Sequence, residues 1–286
     1  METVVRLALP AALFLILFGL ERLVPLRRSS RPLRPRLSTN ALLAVLAIAT
    51  AALFVALAAT GALEWVRNQR FGLLAWLNLP VALEFIAGFL LMDLSFYYWH
   101  RANHTIGFLW RFHLVHHTDP DLDVSTAYRF HFGEIALSAG FRAFQIALIG
   151  VSPMGYAIYE LVFQANTLFQ HSNVRVPIGA ERLLNRILVT PRMHGIHHSE
   201  VQHENNSNFS VVFPWWDRLH RTLRLNIAQS RIVIGIPAYG SDADNRIRVT
   251  LAMPFGRPRS FWRKSDGSVP DRKQTDLLGP PTSMAA

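Results

Sequence analysis

The sequence predicts an all-α fold, a helical bundle integral to a membrane, with a histidine-rich cap at the cytoplasmic ends of its helices. Three observations predict it: long uncharged apolar blocks, arginines gathered between those blocks, and histidines repeated at helical spacing where the blocks end. The chain has 286 residues, 51% hydrophobic, with a formal charge of +10. A soluble protein of this length would distribute its apolar residues over one or two amphipathic cores. Here they are concentrated, which points to a bilayer.

Residues 41–63, "ALLAVLAIATAALFVALAATGAL", contain no charge over 23 positions, and at 1.5 Å rise per residue they exceed the ~30 Å hydrocarbon core. They are expected to form a transmembrane helix. Residues 7–20, "LALPAALFLILFGL", are shorter and reach a span only with Val4, Val5 and a snorkelling Arg6. A secretory signal is the rival reading there. Acidic Glu2, the lack of a small-x-small cleavage site and the basic residues that follow weigh against it. Residues 71–99 form a third block, interrupted by Pro80, Glu84 and Asp93. Residues 135–170 form a fourth, carrying Arg142 and Glu160 and broken near "GVSP" at 150–153, as two helices of a hairpin that enters the bilayer and returns. Backbone groups at membrane depth must be satisfied internally, so every block is expected to be helical.

The arginines set the orientation. "RRSSRPLRPR" at 27–36 holds five, whereas "EWVRNQR" at 64–70 holds two and an acid, so the first linker is expected in the cytoplasm. The following spans then return both histidine clusters to that side. The remaining basic charge suits anionic lipid headgroups or an acidic redox partner, and no basic stripe with interleaved aromatics suggests nucleic acid. With no cysteine, disulfides, thiolate metal sites and cysteine-ligated iron–sulfur clusters are excluded. No Gly-rich dinucleotide fingerprint or P-loop is present. Three regions follow: 1–75, N-terminal transmembrane helices and basic linker; 76–230, the histidine-bearing catalytic domain; and 231–286, a C-terminal segment whose polar end, 256–286, reads as a disordered tail.

Of twelve histidines, five fall between 100 and 117 and three more at 194, 197 and 198. His100 and His104 are i and i+4; His113, His116 and His117 are i, i+3 and i+4, and His194, His197 and His198 repeat that pattern. On helices each set projects from one face. Imidazole binds metals in its neutral form, and a buried cluster of imidazoles without a cation would be poorly solvated and mutually repulsive when charged. Lone His171, where the fourth block returns to the cytoplasmic side, makes a ninth candidate ligand. Nine imidazoles suit two metals with four or five nitrogens each, and all-nitrogen sites favour iron, zinc, copper or nickel. The Glu-x-x-His pairs of soluble di-iron bundles are not visible. Asp93, Tyr97, His100 and His104 lie on one helical stripe, so Asp93 either accepts a ring N–H and orients a ligand or is a helix-end charge facing water. Tyr97 is a further supporting candidate, equally explained by an interfacial aromatic belt. His131 is a third, and His203 and His220 read as surface or structural residues.

The ordered series His100-x3-His104, His113-x2-His116-His117 and His194-x2-His197-His198 resembles the fatty acid hydroxylase superfamily, also called the sterol desaturase family. "D...Y..HR..H" at 93–104, "LWRFHLVHH" at 109–117, His171 in "HSN" and "NSNFSVVFPWWDRL" at 206–219 extend the resemblance over about residues 85–225. It implies a membrane enzyme in which the eight box histidines, with His171, hold two non-haem iron ions. Such an enzyme uses O2 and two electrons to hydroxylate or desaturate a sterol-like or fatty-acyl lipid, the electrons coming from a separate reductase with a ferredoxin or cytochrome b5-like carrier. Zinc is a plausible substitute metal. Two stretches depart from the family pattern: "HRT" at 220–222 stands where Phe-Gly-Thr is frequent, and "RFHFGE" lacks a common proline. The rivals are a zinc-dependent membrane hydrolase, a non-enzymatic metal-binding or transport protein, and, more distantly, a bis-histidine haem protein. The Ala- and Arg-rich composition favours a bacterial inner membrane over the endoplasmic reticulum.

Overall fold

A computed structural model describes residues 2–272, with side chains from residue 8 onward; 273–286, the rest of the expected tail, lie outside the described residues. The order is α1 (Glu2–Leu23), α2 (Leu33–Thr50), a π-helical turn (Ala51–Val55), α3 (Ala56–Gln69), α4 (Leu73–Leu77), α5 (Val81–Thr105), α6 (Gly107–His117), α7 (Phe132–Ile149) and α8 (Pro153–His171). Shorter helices follow: α9 (Ile178–Leu184), α10 (Pro191–His197), α11 (Gln202–Asn205), α12 (Trp215–Leu219) and α13 (Ile247–Ala252). Strand pairing among the described residues is limited to isolated bridges, Pro25 with Val174 and Ser199 with Ile234. The fold is all-α.

Leu33–Leu77, Val81–Thr105 and Phe132–Ile149 are long and apolar enough to cross a membrane. Large apolar side chains on these segments face outward, among them Val45 (62% exposed), Leu57 (69%) and Phe144 (63%). Water would penalise that surface, whereas acyl chains accept it. Inside the bundle Met92, Ile146, Ile149 and Tyr159 pack with Ala59, Val66 and Leu74. The charges of the fourth block neutralise one another: Arg142 Nη2 lies 2.8 Å from Glu160 Oε1, and Arg142 Nη1 donates to Gln145 Oε1.

The breaks fall where sequence punctuation puts them. Pro80, which has no N–H to leave unsatisfied, precedes the first turn of α5. Gly150 ends α7 at φ +75°, and Ser152 Oγ accepts the Gly155 N–H to start α8. Gly72 lies against this turn so closely that a Cβ there would stand 2.4 Å from Gly150 Cα. Since α5 and α8 run away from these turns and α7 runs towards them, the ends of α5 and α8 and the start of α7 meet at the opposite pole. The cap is built there.

The described part of the segment expected to be a tail, 256–272, is largely exposed and touches the cap at a few side chains. Trp262 stacks on Trp110 of α6 with Phe261 beside it, and Arg272 Nη2 donates to buried Glu204 Oε2 at 2.9 Å. Two aromatics and one arginine anchor 261–272 in an otherwise polar stretch; composition averaged over the segment obscures them.

Candidate metal centre

The last turn of α5 carries His100 and His104, α6 carries His113, His116 and His117, α8 ends on His171, and α10 with the residue after it supplies His194, His197 and His198. The structure brings all nine together in two groups. His100, His104, His113, His117 and His197 form one; His116, His171, His194 and His198 form the other, and within each group one ring nitrogen per residue lies within 4.8 Å of all the others. Helical spacing explains the division. On α6 the i, i+4 pair His113 and His117 faces the first group and the i+3 residue His116 the second, whereas on α10 the pair His194 and His198 faces the second and His197 the first. The two helices contribute complementary parts to the two histidine groups.

Hydrogen bonds at the outer ring nitrogens fix tautomers. His100 Nδ1 lies 2.8 Å from the Phe209 carbonyl, His197 Nδ1 2.7 Å from the Ser207 carbonyl, His171 Nδ1 2.7 Å from the Thr167 carbonyl and His113 Nδ1 2.8 Å from Glu134 Oε1. Those oxygens only accept, so each Nδ1 carries the proton and, in the neutral ring, Nε2 is a bare lone pair. These Nε2 atoms point inward: His171 Nε2 stands 3.1 Å from His116 Nε2 and 2.9 Å from His194 Nε2, and His113 Nε2 stands 3.2 Å from His117 Nε2. His197 Nε2 is buried with no hydrogen-bond partner. The four inward Nε2 lone pairs fixed in this way, converging on the ring nitrogens of their neighbours, are donors suited to cations.

Burial keeps the rings neutral. It holds His116, His117, His194 and His198 well below the usual histidine value, helped by neighbouring imidazoles, and holds His197 at about 3. The cap excludes water with aromatic faces: Phe130 stacks on His116 at 4.4 Å, and Trp110 and Phe209 lie about 5 Å from His104.

The supporting residues expected from sequence are placed differently. Asp93 accepts from the backbone N–H of Val212 and Phe213 and from Trp216 Nε1, not from a histidine. Lying 7 positions before His100, about two turns down α5, it anchors the loop that presents the Phe209 and Ser207 carbonyls. Tyr97 bonds Thr222 Oγ1 through its hydroxyl and stacks on His220, serving the same loop. His131 caps α7, its Nδ1 accepting the Gly133 N–H while Nε2 lies 3.2 Å from the Leu251 carbonyl. Its ring therefore turns away from the cluster. His220 is structural as expected, 2.7 Å from the Tyr98 hydroxyl, and His203, 3.9 Å from Asp271, is at the surface.

The carboxylate that does face a cluster ring is Glu134, one turn into α7. Its signal was three positions from His131 in "HFGE", but no periodicity links it to His113. Asn205, whose amide nitrogen lies 3.2 Å from His117 Nδ1, likewise carries no sequence signal that links it to the cluster. Buried Asp119, just past His117, accepts from Arg36, Asn40 and Thr126. Burial alone would raise its pKa, but Arg36 and Arg129 hold it below the usual carboxylate value. Through these bonds the basic linker and α2 are fastened to the end of α6.

Residues 85–222, which include all nine histidines, match the family described as fatty acid hydroxylase. An ornithine lipid hydroxylase of Rhizobium tropici is 32% identical over 178 residues, covering 62% of this chain and 52% of that protein. Human alkylglycerol monooxygenase is 28% identical over 179 residues, 62% of this chain and 38% of its own. Human cholesterol 25-hydroxylase is 27% identical over 137 residues, 47% and 49% of the two chains. The chain thus spans about half the length, or less, of these curated relatives. No solved structure matches it.

Proposed function

We propose that the chain, whose residues 85–222 match the fatty acid hydroxylase family, is a member of that family and a membrane-bound, O2-dependent lipid hydroxylase whose nine clustered histidines hold two iron ions. The observation that carries this reading is the pair of buried imidazole groups with inward Nε2 lone pairs. Iron in such a site supplies, from O2 and two external electrons, the oxidising power for an unactivated C–H bond.

The protein's own residues orient and shield. Glu134 and the Phe209, Ser207 and Thr167 carbonyls hold four imidazoles in the ligating tautomer, and Phe130, Trp110 and Phe209 keep bulk water from the rings. The site lies at the pole where apolar helices end, so an apolar substrate approaches from the bilayer while O2 and electrons arrive from the aqueous side. The electrons come from a separate reductase with a ferredoxin or cytochrome b5-like carrier. The basic linker stands on the same side as the histidines, which by the positive-inside rule makes that side cytoplasmic, in a bacterial inner membrane or, in a eukaryote, the endoplasmic reticulum. The named relatives act on ornithine lipid, alkylglycerol and cholesterol, which favours hydroxylation over desaturation and a lipid substrate. Catalytic zinc needs only three protein ligands; four and five imidazoles per group suit iron better.

Metal analysis with Mössbauer spectroscopy, paired with lipidomics of cells with and without the gene, tests the reading. Roughly two iron atoms per chain are expected, together with a lipid that gains one oxygen atom only when the gene is present. An active preparation containing zinc alone would sink the di-iron assignment.

A further inference from the structure

A cavity of about 470 Å³ lies between the end of α1, the basic linker and the loop after α6, apart from the histidine groups. The exposed apolar side chains Leu20, Leu23 and Val24 lead to it along α1, and Leu33 borders it, so it opens where apolar surface gives way to the arginine-rich linker. The acids in its wall are occupied: Glu21 accepts the Val124 and Asn173 N–H groups, Asp121 accepts from the Ser29 hydroxyl and the Ser30 and Arg31 backbone N–H groups, and Asp123 pairs with Arg36. The arginines are not all matched. Arg27 lines the cavity and is only 8% exposed, yet its Nε and Nη2 have no hydrogen-bond partner. Nearby Glu181 is engaged by Arg192 instead. Exposed Arg28 stands beside it in the same wall. Exposed Arg28 beside apolar surface, with the unpaired Arg27 guanidinium buried in the same wall, matches the phosphate and first methylenes of an anionic phospholipid.

Arg27 also touches the cap. Its Nη1 donates to Gln229 Oε1, lies 3.4 Å from the Pro191 carbonyl, and sits so near Gly195 that a Cβ there would be 2.4 Å away. Gly195 lies between His194 and His197 on α10. We propose that this cavity binds the phosphate headgroup of an anionic membrane phospholipid through Arg27 and Arg28, and that the bound lipid steadies α10 and so the third histidine box. Lipid binding here is distinct from substrate turnover and goes beyond the hydroxylase reading.

The test uses the purified, metal-loaded full chain in nanodiscs of phosphatidylcholine with or without phosphatidylglycerol, reading retained phosphatidylglycerol by mass spectrometry and thermal unfolding by circular dichroism. Phosphatidylglycerol is expected to bind and to raise the unfolding temperature. Arg28→Gln, on the exposed rim where folding is safe, should weaken its retention about fivefold, as should Arg27→Gln. Inorganic phosphate added to phosphatidylcholine discs should not reproduce the rise. Wild-type retention in Arg28→Gln overturns the proposal, and a rise given equally by phosphate would make the cavity a free-anion site instead of a lipid site. Neither readout involves hydroxylation, so failure here leaves the functional reading untouched, and the reverse also holds.

Discussion

The two histidine groups are built from the same residue type but supported to different degrees. In the five-histidine group, the outer nitrogens of His100, His113 and His197 are held by Phe209, Glu134 and Ser207, whereas His117 Nδ1 faces the donating Asn205 amide nitrogen and neither nitrogen of His104 has a partner. In the four-histidine group only His171 has such a prop, the Thr167 carbonyl, while the Nδ1 atoms of His116, His194 and His198 are buried without partners. Supported rings are pre-oriented and more basic; unsupported rings must be ordered by the metal itself. The first group is therefore the firmer site and the second the more labile.

Removing a ligand should have the largest effect. His117→Ala in the first group and His198→Ala in the second should each abolish lipid hydroxylation, with bound metal falling towards one ion per chain. Under a timed chelator challenge His117→Ala should lose what remains faster, since only the labile group is then intact. Equal rates in the two variants would erase the distinction. Full metal content with activity in either variant would refute a shared site.

A smaller change removes a prop instead of a ligand. Glu134→Gln keeps a side chain of the same shape, but its neutral amide accepts the His113 Nδ1–H more weakly. Metal affinity should fall roughly 10- to 100-fold at the first group only. In a competitive titration the two ions should then leave in one step instead of two. A variant that still releases metal in two wild-type steps would show that the props do not decide the ranking.

The mildest test is acid applied to metal-free protein. Burial lowers the folded pKa of His116, His117, His194, His197 and His198, while in the unfolded chain each returns to about 6.5. The unfolded state then binds more protons below that value. Stability is complete above about pH 6.5 and declines as pH falls, by about 2 kcal/mol per histidine at about pH 5. Chemical denaturation at several pH values measures it, and a flat profile from about pH 7 to 5 would mean that the rings are hydrated rather than dry.

Much of this is legible in the sequence. Apolar block length and the positions of Pro80 and Gly150 located the helices, and i, i+3, i+4 spacing exposed the ligand candidates, because both signals are local along the chain. The supporting contacts were not legible, because they join residues far apart in sequence. Glu134 meets His113 across the long segment between α6 and α7, and Ser207 and Phe209 act through backbone carbonyls that carry no side-chain signature. Asp93 shows the limit of periodicity. It shares a stripe with His100, yet a side chain two turns away reaches the neighbouring loop first.

The division of each histidine box between the two groups has a consequence in time. During synthesis, a chain complete only through α8 possesses four imidazoles of the first group but two of the second, and α10 contributes to both. Neither group is complete until that late helix docks, so on the proposed di-iron reading full metal uptake would report that the last part of the cap has arrived, and a nascent chain that stalls before His194 would lack both complete histidine sets.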